Sequence, residues 1–371
     1  MLEGYCVMEN LSALDYAKLG CNTLMKKFNP AKNLPPVKRF HYHQGVFLTG
    51  MERVYELCGD EKYFNYIKEW VDSFIDENGI LDIYDEGQFD DLQPAMLLFK
   101  IYDKTGDEKY KKILDYIMKL YKNWPLNPEG GFWHKTEHPN EMWLDSMYMA
   151  SMLPILYDKH FSENEHLEVV YKQMTLMWKN MRDKDTGLLY HAWDYTKNIQ
   201  WADKNTGLSP EFWGRAIGWY VVALFDIAEY LPDDYTHKSE FIQNGTELIK
   251  SIFNYQDKES KLWFQVLNKG YDPNNWIENS CSCLFVYALS KAVRLGYIDK
   301  AYMLYADDAY EAIIKRLRAE GEDILIDDIC IGTGVCDYEE YLSRPKTQND
   351  LHGMGAFVLM CTEYHKTKKG K

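Results

Sequence analysis

Apolar residues recur at three- and four-residue steps along most of the chain, which is the spacing of amphipathic helices. Six stretches have one sharp apolar stripe, and they span residues 14–28, 62–78, 107–121, 164–182, 238–254 and 298–316. Six flatter stretches, richer in small and aromatic residues, alternate with them at 43–57, 90–104, 145–158, 211–230, 280–294 and 350–364. The pattern therefore predicts twelve helices of two alternating kinds.

Short extended segments with turn residues precede most helices of the second kind, and they lie at 79–83, 129–134, 186–191, 261–265 and 324–326. They predict small β-hairpins before these helices. One marker residue near the start of each second-kind helix shows a repeat with steps of 49 to 70 residues: Gln44, Gln93, Asp145, Arg215, Ser282 and His352. Open helical superhelices usually repeat every 34–47 residues or so, and these units are longer.

Six helical hairpins of this kind can close into a ring, in which the inner helices bury two faces and lose their sharp stripe. The sequence therefore predicts an all-α fold, an (α/α)6 barrel, with the hairpins and the inner helix starts gathered at one end. The length of 371 residues alone would suggest two or three domains. No Pro/Gly/Ser-rich linker interrupts the series, so we expect one domain over 1–371, with a frayed basic tail from about 366.

Charge and cysteine content limit the partners and the compartment. The formal net charge is −15, which argues against nucleic acid and against anionic membrane surfaces. No apolar run approaches the roughly 20 residues of a membrane span, and the first twenty residues lack the features of a signal peptide. Eight cysteines without a CxxC motif indicate reduced thiols. We expect a cytoplasmic protein that is a monomer or a weak oligomer.

The junctions before the second-kind helices concentrate Trp, Tyr, His, Asp, Arg and Lys. The chain has 11 Trp, 29 Tyr and 16 Phe; many of these belong in a core, but rings at the junctions can stack on sugar faces while charged groups bind hydroxyls. A carbohydrate pocket at this end is the natural hypothesis.

Each candidate also has a plainer interpretation. Asp145 precedes an apolar helical run and is a good N-cap, and Asp90 or its neighbour Asp91 can cap in the same way. Arg215 can pair with Glu211 at i and i+4. His41 and His43 share one side of an extended stretch and can bind a metal, but no third ligand stands at a suggestive spacing.

The junction segments together resemble the unsaturated rhamnogalacturonyl hydrolases of glycoside hydrolase family 105, over residues 14–365. The segments that carry the resemblance are Arg39-Phe-His-Tyr-His-Gln-Gly-Val46, Gly130-Gly-Phe-Trp-His-Lys135, Met142-Trp-Leu-Asp145, Leu189-Tyr-His-Ala-Trp-Asp194, Ser209-Pro-Glu-Phe-Trp-Gly-Arg215 with Ile217-Gly-Trp-Tyr220, and Asn349-Asp-Leu-His-Gly353. The family fold is an (α/α)6 barrel, in agreement with the repeat.

The resemblance implies a small oligosaccharide substrate with a 4,5-unsaturated uronic acid at its non-reducing end, a product of pectin (rhamnogalacturonan) lyases. It implies Asp145 as general acid and base, and Asp90 as the assisting carboxylate. It places sugar contacts on Tyr42, His134, Lys135, Trp143, His191, Trp213, Arg215 and Trp219. Neither a metal nor a cofactor is expected, because the substrate carries its own reactive double bond.

Two details of the site stay open in the sequence. Asp91 follows Asp90 directly, and a helical spacing with Gln93 and Leu97 favours Asp90 as the residue that faces the site. The substrate is an anion, so local cations must bind its carboxylate. The candidates are Arg215, Lys135 and the histidines, and Arg215 is favoured for its bidentate geometry.

Three alternative functions remain at this stage. The first is a hydrolase for unsaturated glucuronyl products of other lyases, since the double bond erases the configuration at C4. The second is a sugar 2-epimerase of similar fold that would use His134 and His191 to move a proton. The third is a ring-shaped helical protein that binds oligosaccharides or peptides without turnover.

Overall fold

The computed structural model describes residues 11–81, 85, 87–162 and 164–370. Its helices in this part of the chain are α1 (Ala13–Lys27), α2 (Tyr42–Cys58), α3 (Glu61–Asp72), α4 (Leu97–Thr105), α5 (Glu108–Lys122), α6 (Asp145–Met149), α7 (Met152–Phe161), α8 (Leu167–Met181), α9 (Gly214–Tyr230), α10 (Lys238–Phe253), α11 (Asn279–Arg294), α12 (Met303–Arg316), α13 (Tyr338–Ser343) and α14 (Leu351–Lys369). Short 3-10 turns lie at Ala31–Asn33, Phe89–Asp91, Gln93–Met96, Leu267–Lys269 and Lys300–Tyr302.

The helices of the second kind form a closed inner ring. In order around it, α2 packs on the turn before α4, that turn on α7, α6 and α7 on α9, α9 on α11, and α11 on α14. The last helix, α14, packs in turn on α2 and closes the circle. The outer helices α1, α3, α5, α8, α10 and α12 lie outside this ring. The predicted (α/α)6 barrel is confirmed.

Burial separates the two kinds of helix as the sequence pattern indicated. In the inner helix α9, every residue from Gly214 to Ala228 is buried, because the helix contacts both its ring neighbours and the outer layer. In the outer helix α5, only one stripe is buried, and it consists of Tyr110, Ile113, Leu114, Ile117, Met118 and Tyr121. Burial on two faces removes the amphipathic contrast from the inner helices.

One turn between an inner and an outer helix occurs twice with the same five residues, Gly-Asp-Glu-Lys-Tyr, at 59–63 and 106–110. Gly59 and Gly106 have φ values of 69° and 65° and end α2 and α4 in the left-handed conformation that favours glycine. The following residues, Asp60 and Asp107, cap α3 and α5 by accepting from backbone N–H groups.

Two inner helices are less regular than the sequence predicted. The stretch 90–104 begins as 3-10 turns and becomes α-helical only at Leu97, and the stretch 145–158 is broken between α6 and α7. Pro94 and Pro154 lie in these stretches, and each lacks the N–H that would bond to the carbonyl four residues earlier.

The basic C-terminus is also different from the prediction of a frayed tail from about 366. Helix α14 continues to Lys369, with Thr367 buried and Lys368 paired to Asp307. The segment is ordered because α14 packs on the outer helix α1 and Lys368 pairs with Asp307, contacts that the charge of the segment does not reveal.

The extended segments form short antiparallel pairs. Strand β1 (Glu141–Trp143) pairs with β2 (Ala192–Asp194), β3 (Arg318–Glu320) with β4 (Asp323–Leu325), and β5 (Ile329–Cys330) with β6 (Lys346–Thr347). Single bridges join further segments, among them Leu126 with Phe132, Arg182 with Leu189 and Phe264 with Ile277. Of the predicted segment 79–83, residues 82 and 83 lie outside the described residues.

None of the helices in the described part of the chain combines the length and the apolar composition that crossing a bilayer requires.

Candidate active site

A cavity of about 200 Å³ opens at the end of the ring where the inner helices begin. Its walls come from five separate segments of the chain. They are formed by His41, Tyr42, His43, Asp90, His134, Lys135, Trp143, Asp145, Met149, Gly332, Thr333 and Gly334. The structure therefore brings together six of the ten predicted site residues: Tyr42, Asp90, His134, Lys135, Trp143 and Asp145.

The β1–β2 pair sets the position of Asp145. Trp143 pairs with Ala192 in this register, and the N–H of Leu144 donates to the carbonyl of His191, so the side chains of Asp145 and His191 meet just beyond the end of the pair. The Nε2 atom of His191 lies 3.1 Å from Oδ2 of Asp145. Asp145 makes no capping bond at the start of α6, and the capping interpretation of this residue is wrong.

Behind His191, a tyrosine determines which ring nitrogen carries the proton. The Nδ1 atom of His191 lies 2.6 Å from the hydroxyl of Tyr341. Burial raises the pKa of Tyr341 well above its ordinary value, so the hydroxyl keeps its proton and donates it to Nδ1. The proton of a neutral His191 then lies on Nε2 and is donated to Oδ2 of Asp145. Atom Oδ1 of Asp145 is left without this hydrogen bond.

Asp90 is held by two basic residues. Lys135 Nζ lies 3.1 Å from Oδ2 of Asp90, and His134 Nε2 lies 3.5 Å from Oδ1. Burial raises the pKa of Asp90, but the charges of His134 and Lys135 outweigh burial and hold this pKa well below its ordinary value. Asp90 is therefore a carboxylate at neutral pH. The Trp143 ring stacks on His134 at 4.3 Å and forms the adjoining wall.

Asp91 faces away from the cavity, as the helical spacing favoured. It is fully buried and lies 2.5 Å from Nδ1 of His41. Burial raises the pKa of Asp91, against the opposing effect of His41. The rings of His41 and His43 stack at 5.2 Å but have different partners, since His41 binds Asp91 while His43 lies 3.9 Å from Asp350. Burial lowers the pKa of His43 to about 3, so its ring is neutral at pH 7.

Four predicted sugar-contact residues lie behind the cavity wall. His191 and Trp213 stack on each other at 4.8 Å, and Trp219 packs on Tyr148 inside the ring with 1% of its surface exposed. None of the three lines the cavity, and neither does Arg215. His191 still reaches the site through its hydrogen bond to Asp145.

Arg215 does not line the cavity and instead supports a loop beside it. Its side chain is 2% exposed, and its two terminal nitrogens donate to the carbonyls of Cys330 and Ile331 at 2.6 and 2.7 Å. Glu278 lies 3.9 Å from Arg215 and accepts from the N–H of Cys330 at 3.0 Å. The alternative partner of Arg215, Glu211, pairs with Lys269 instead.

The loop that Arg215 supports supplies site residues that the sequence analysis missed. Gly332 packs so closely that a Cβ atom there would lie 3.2 Å from the His43 ring and 3.3 Å from the Tyr42 hydroxyl. Gly334 faces the Trp143 ring. The Gly-Thr-Gly sequence at 332–334 indicates a loop of this kind, but it lies outside the predicted helices and the junctions of the repeat.

A second cavity, of about 290 Å³, lies at the opposite end of the ring, among the later turns of the inner helices. Its charged residues largely neutralise one another, since both Arg53 and Lys100 lie 3.1 Å from Glu56. Although it is larger, no tryptophan is among its described lining residues, and its histidine, His160, is already bonded to the carbonyl of Leu156 and to Asp103.

The family model of Glycosyl Hydrolase Family 88 matches residues 16–368. The chain belongs to glycosyl hydrolase family 88. This family 88 enzyme is 34% identical to a solved glycoside hydrolase from family 105 of C. acetobutylicum ATCC 824, with a TM-score of 0.90 over 95% of this chain and 99% of that one. The predicted membership in family 105 and the predicted glycoside hydrolase class are confirmed.

Two further relatives of the family 88 enzyme cover most of the chain. Unsaturated rhamnogalacturonyl hydrolase YesR of Bacillus subtilis (strain 168) is 27% identical over 338 residues, which are 88% of this chain and 89% of YesR. Unsaturated glucuronyl hydrolase from Bacillus sp. GL1 is 13% identical, with a TM-score of 0.70 over 94% of this chain and 95% of that one, and it shares the fold.

Proposed function

We propose that this enzyme releases the 4,5-unsaturated uronic acid from the non-reducing end of small oligosaccharides produced by pectin (rhamnogalacturonan) lyases. The observation that carries the proposal is the pair of carboxylates in one ring-lined cavity, Asp145 held by His191 and Asp90 held by Lys135. The substrate named for the relative YesR, which aligns along most of the chain, supports this choice of substrate class.

The substrate is a vinyl ether, and its C4=C5 bond is electron-rich because the ring oxygen donates into it. A carboxylic acid can transfer a proton to C4 and leave an oxocarbenium ion at C5. Water adds at C5 after giving a proton to the same carboxylate. The resulting hemiketal opens to a C5 ketone, C1 becomes a hemiacetal, and the bond to the next sugar breaks as that hemiacetal collapses. This route differs from direct protonation of the glycosidic oxygen.

In this scheme Asp145 is the general acid and then the base. His191 occupies Oδ2 with its Nε2–H, so Oδ1 is the atom that carries the transferred proton. Tyr341 holds His191 in the tautomer that this task requires. Asp90, which stays ionised beside Lys135, accepts from a sugar hydroxyl and stabilises positive charge that develops near C5.

The uronate carboxylate requires a cation, and the structure changes the candidate for it. The Arg215 nitrogens already donate to two carbonyls behind the wall. Lys135 lines the cavity with its side chain 25% exposed, beside Trp143. We therefore assign the contact with the carboxylate to Lys135, and the stacking of the sugar ring to Trp143 and Tyr42.

Three broader assignments belong to the same proposal. We place 1–371 in one domain, which acts as a monomer or weak oligomer. We place the reaction in the cytoplasm, since the seven described cysteines are free thiols, as is usual in a reducing compartment.

A panel of lyase-generated disaccharides tests the activity. We expect the purified enzyme to remove the ultraviolet absorbance of the alkene in unsaturated galacturonyl-rhamnose, with slower loss in unsaturated glucuronyl disaccharides. In D₂O, deuterium should appear at C4 of the released uronic acid. An intact disaccharide with an inverted C2 centre would instead identify the epimerase alternative, and binding without any turnover across the panel would contradict a catalytic role.

A further inference from the structure

The edge of the cavity contains a second group of chemistry-bearing side chains, His43, Asp350 and His352, which the proposed reaction does not use. One ligand nitrogen of each histidine and one carboxylate oxygen lie within 4.8 Å of one another. They come from opposite ends of the chain, and the packing of α14 on α2 brings them together. His41, the partner that the sequence suggested for a metal, is not part of the group, because it binds Asp91.

The contacts of His352 leave two lone pairs facing each other. Its Nε2 atom lies 3.1 Å from the carbonyl oxygen of Cys330, an acceptor only, so Nε2 must carry the ring proton. In the neutral ring, Nδ1 then carries a lone pair. This Nδ1 atom lies 2.7 Å from Oδ1 of Asp350, outside hydrogen-bonding geometry. Two acceptors this close in a buried site require a positive charge between them, either a proton on His352 or a bound cation.

His43 completes the group from the cavity side. Its Nε2 atom lies 3.9 Å from the same Oδ1 atom of Asp350. Its other nitrogen, Nδ1, is buried and has no hydrogen-bond partner among the described residues. The ring is fixed by packing, since Tyr42 and His352 contact it at 4.2 and 5.0 Å between ring centres. The nitrogen that faces Asp350 is therefore Nε2, which offers a lone pair to a ligand when the ring proton lies on Nδ1.

We propose that His43, Asp350 and His352 form a binding site for a divalent cation of the Zn²⁺ class in the wall of the cavity. Two imidazoles and a carboxylate are donors that such ions prefer. Ligand atoms bonded to one ion at about 2.1 Å lie at most about 4.2 Å apart. The separations of 2.7 and 3.9 Å from Asp350 to the two histidines meet this limit. The third separation, between the two histidine nitrogens, is at most 4.8 Å, and a small side-chain shift brings it within the limit. The bond from His352 to a backbone carbonyl is the usual support of a metal-bound histidine.

Three protein ligands leave a coordination position open. His43 lines the cavity, so this position faces the space where substrate binds. The site does not depend on the proposed reaction, and cation binding can be measured without substrate.

Zinc titration of the untagged, chelator-stripped protein tests the proposal. We expect one Zn²⁺ per chain, measured by competition with a chromophoric chelator, and a visible Co²⁺ ligand-field band on replacement by Co²⁺. Asp350→Asn is the sharpest variant, because asparagine also caps α14, the present role of the Asp350 side chain, so folding is kept. This variant and His43→Gln should each weaken Zn²⁺ binding about tenfold or more.

His237→Asn is the matched control, since this histidine lies on the outer surface beside Glu240 and away from the cavity. It should bind Zn²⁺ as the unchanged protein does. If the unchanged protein takes up no more Zn²⁺ than Asp350→Asn, a proton on His352 satisfies the pair and the proposal is wrong. Equal Zn²⁺ affinity in the unchanged protein and His43→Gln would overturn it as well.

Discussion

Replacing Asp145 by asparagine is expected to lower kcat about 10²- to 10⁴-fold, the contribution usual for a general acid and base. Asparagine has no proton to give to C4, so the first step loses its donor. It still presents an oxygen to the Nε2–H of His191, so the site should keep its shape and KM should change little. The initial rate of alkene absorbance loss at several disaccharide concentrations measures both constants.

Asp158→Asn is the matched control for this change. Asp158 is a buried aspartate near the end of α7, bonded to His166 and Ser162 and remote from the cavity. Its replacement should reduce thermal stability, because the carboxylate accepts several hydrogen bonds, and should leave kcat unaffected. Near-normal kcat in Asp145→Asn would show that another group transfers the proton.

Replacing Arg215 by methionine is expected to reduce the free energy of unfolding by about 3–5 kcal/mol, the effect of removing one partner of a buried ion pair. Glu278 would remain buried without its cation, and the carbonyls of Cys330 and Ile331 would lose their donors. The loop that carries Gly332 would lose its support, so kcat should fall together with stability. Urea unfolding followed by tryptophan fluorescence measures the change, and Arg215→Lys serves if the methionine variant does not fold.

Lys135→Met separates this structural role from substrate binding. Lys135 is partly exposed and Asp90 keeps its second partner, His134, so the stability loss should be smaller than in Arg215→Met. If it binds the uronate, KM for the charged disaccharide should rise and KM for its methyl ester should change less. The assignment would be reversed by an Arg215→Met protein that keeps its unfolding free energy and shows the rise in KM instead.

Much of this fold follows from local sequence. The apolar spacing in stretches such as 62–78 and 107–121 depends only on neighbours within a few turns, and it predicted the outer helices α3 and α5. Helical spacing also favoured Asp90 over Asp91, since residues three or four positions apart, such as Asp90 and Gln93, point to the same side of a helix. The recurrence of the helix pair along the chain was sufficient to predict the ring.

What the sequence alone determined was therefore the alternation of helices, the closed ring and the end at which polar and aromatic residues gather. Only the tertiary structure decided the partner of each polar side chain there. Arg215 donates to a carbonyl 115 residues away, and His191 meets a tyrosine 150 residues away. Helix periodicity is a property of adjacent turns, whereas these partners meet only after ring closure brings distant segments to the same end. Ring closure brings Arg215 against the loop that carries Cys330 and Ile331, and it brings His43 beside Asp350.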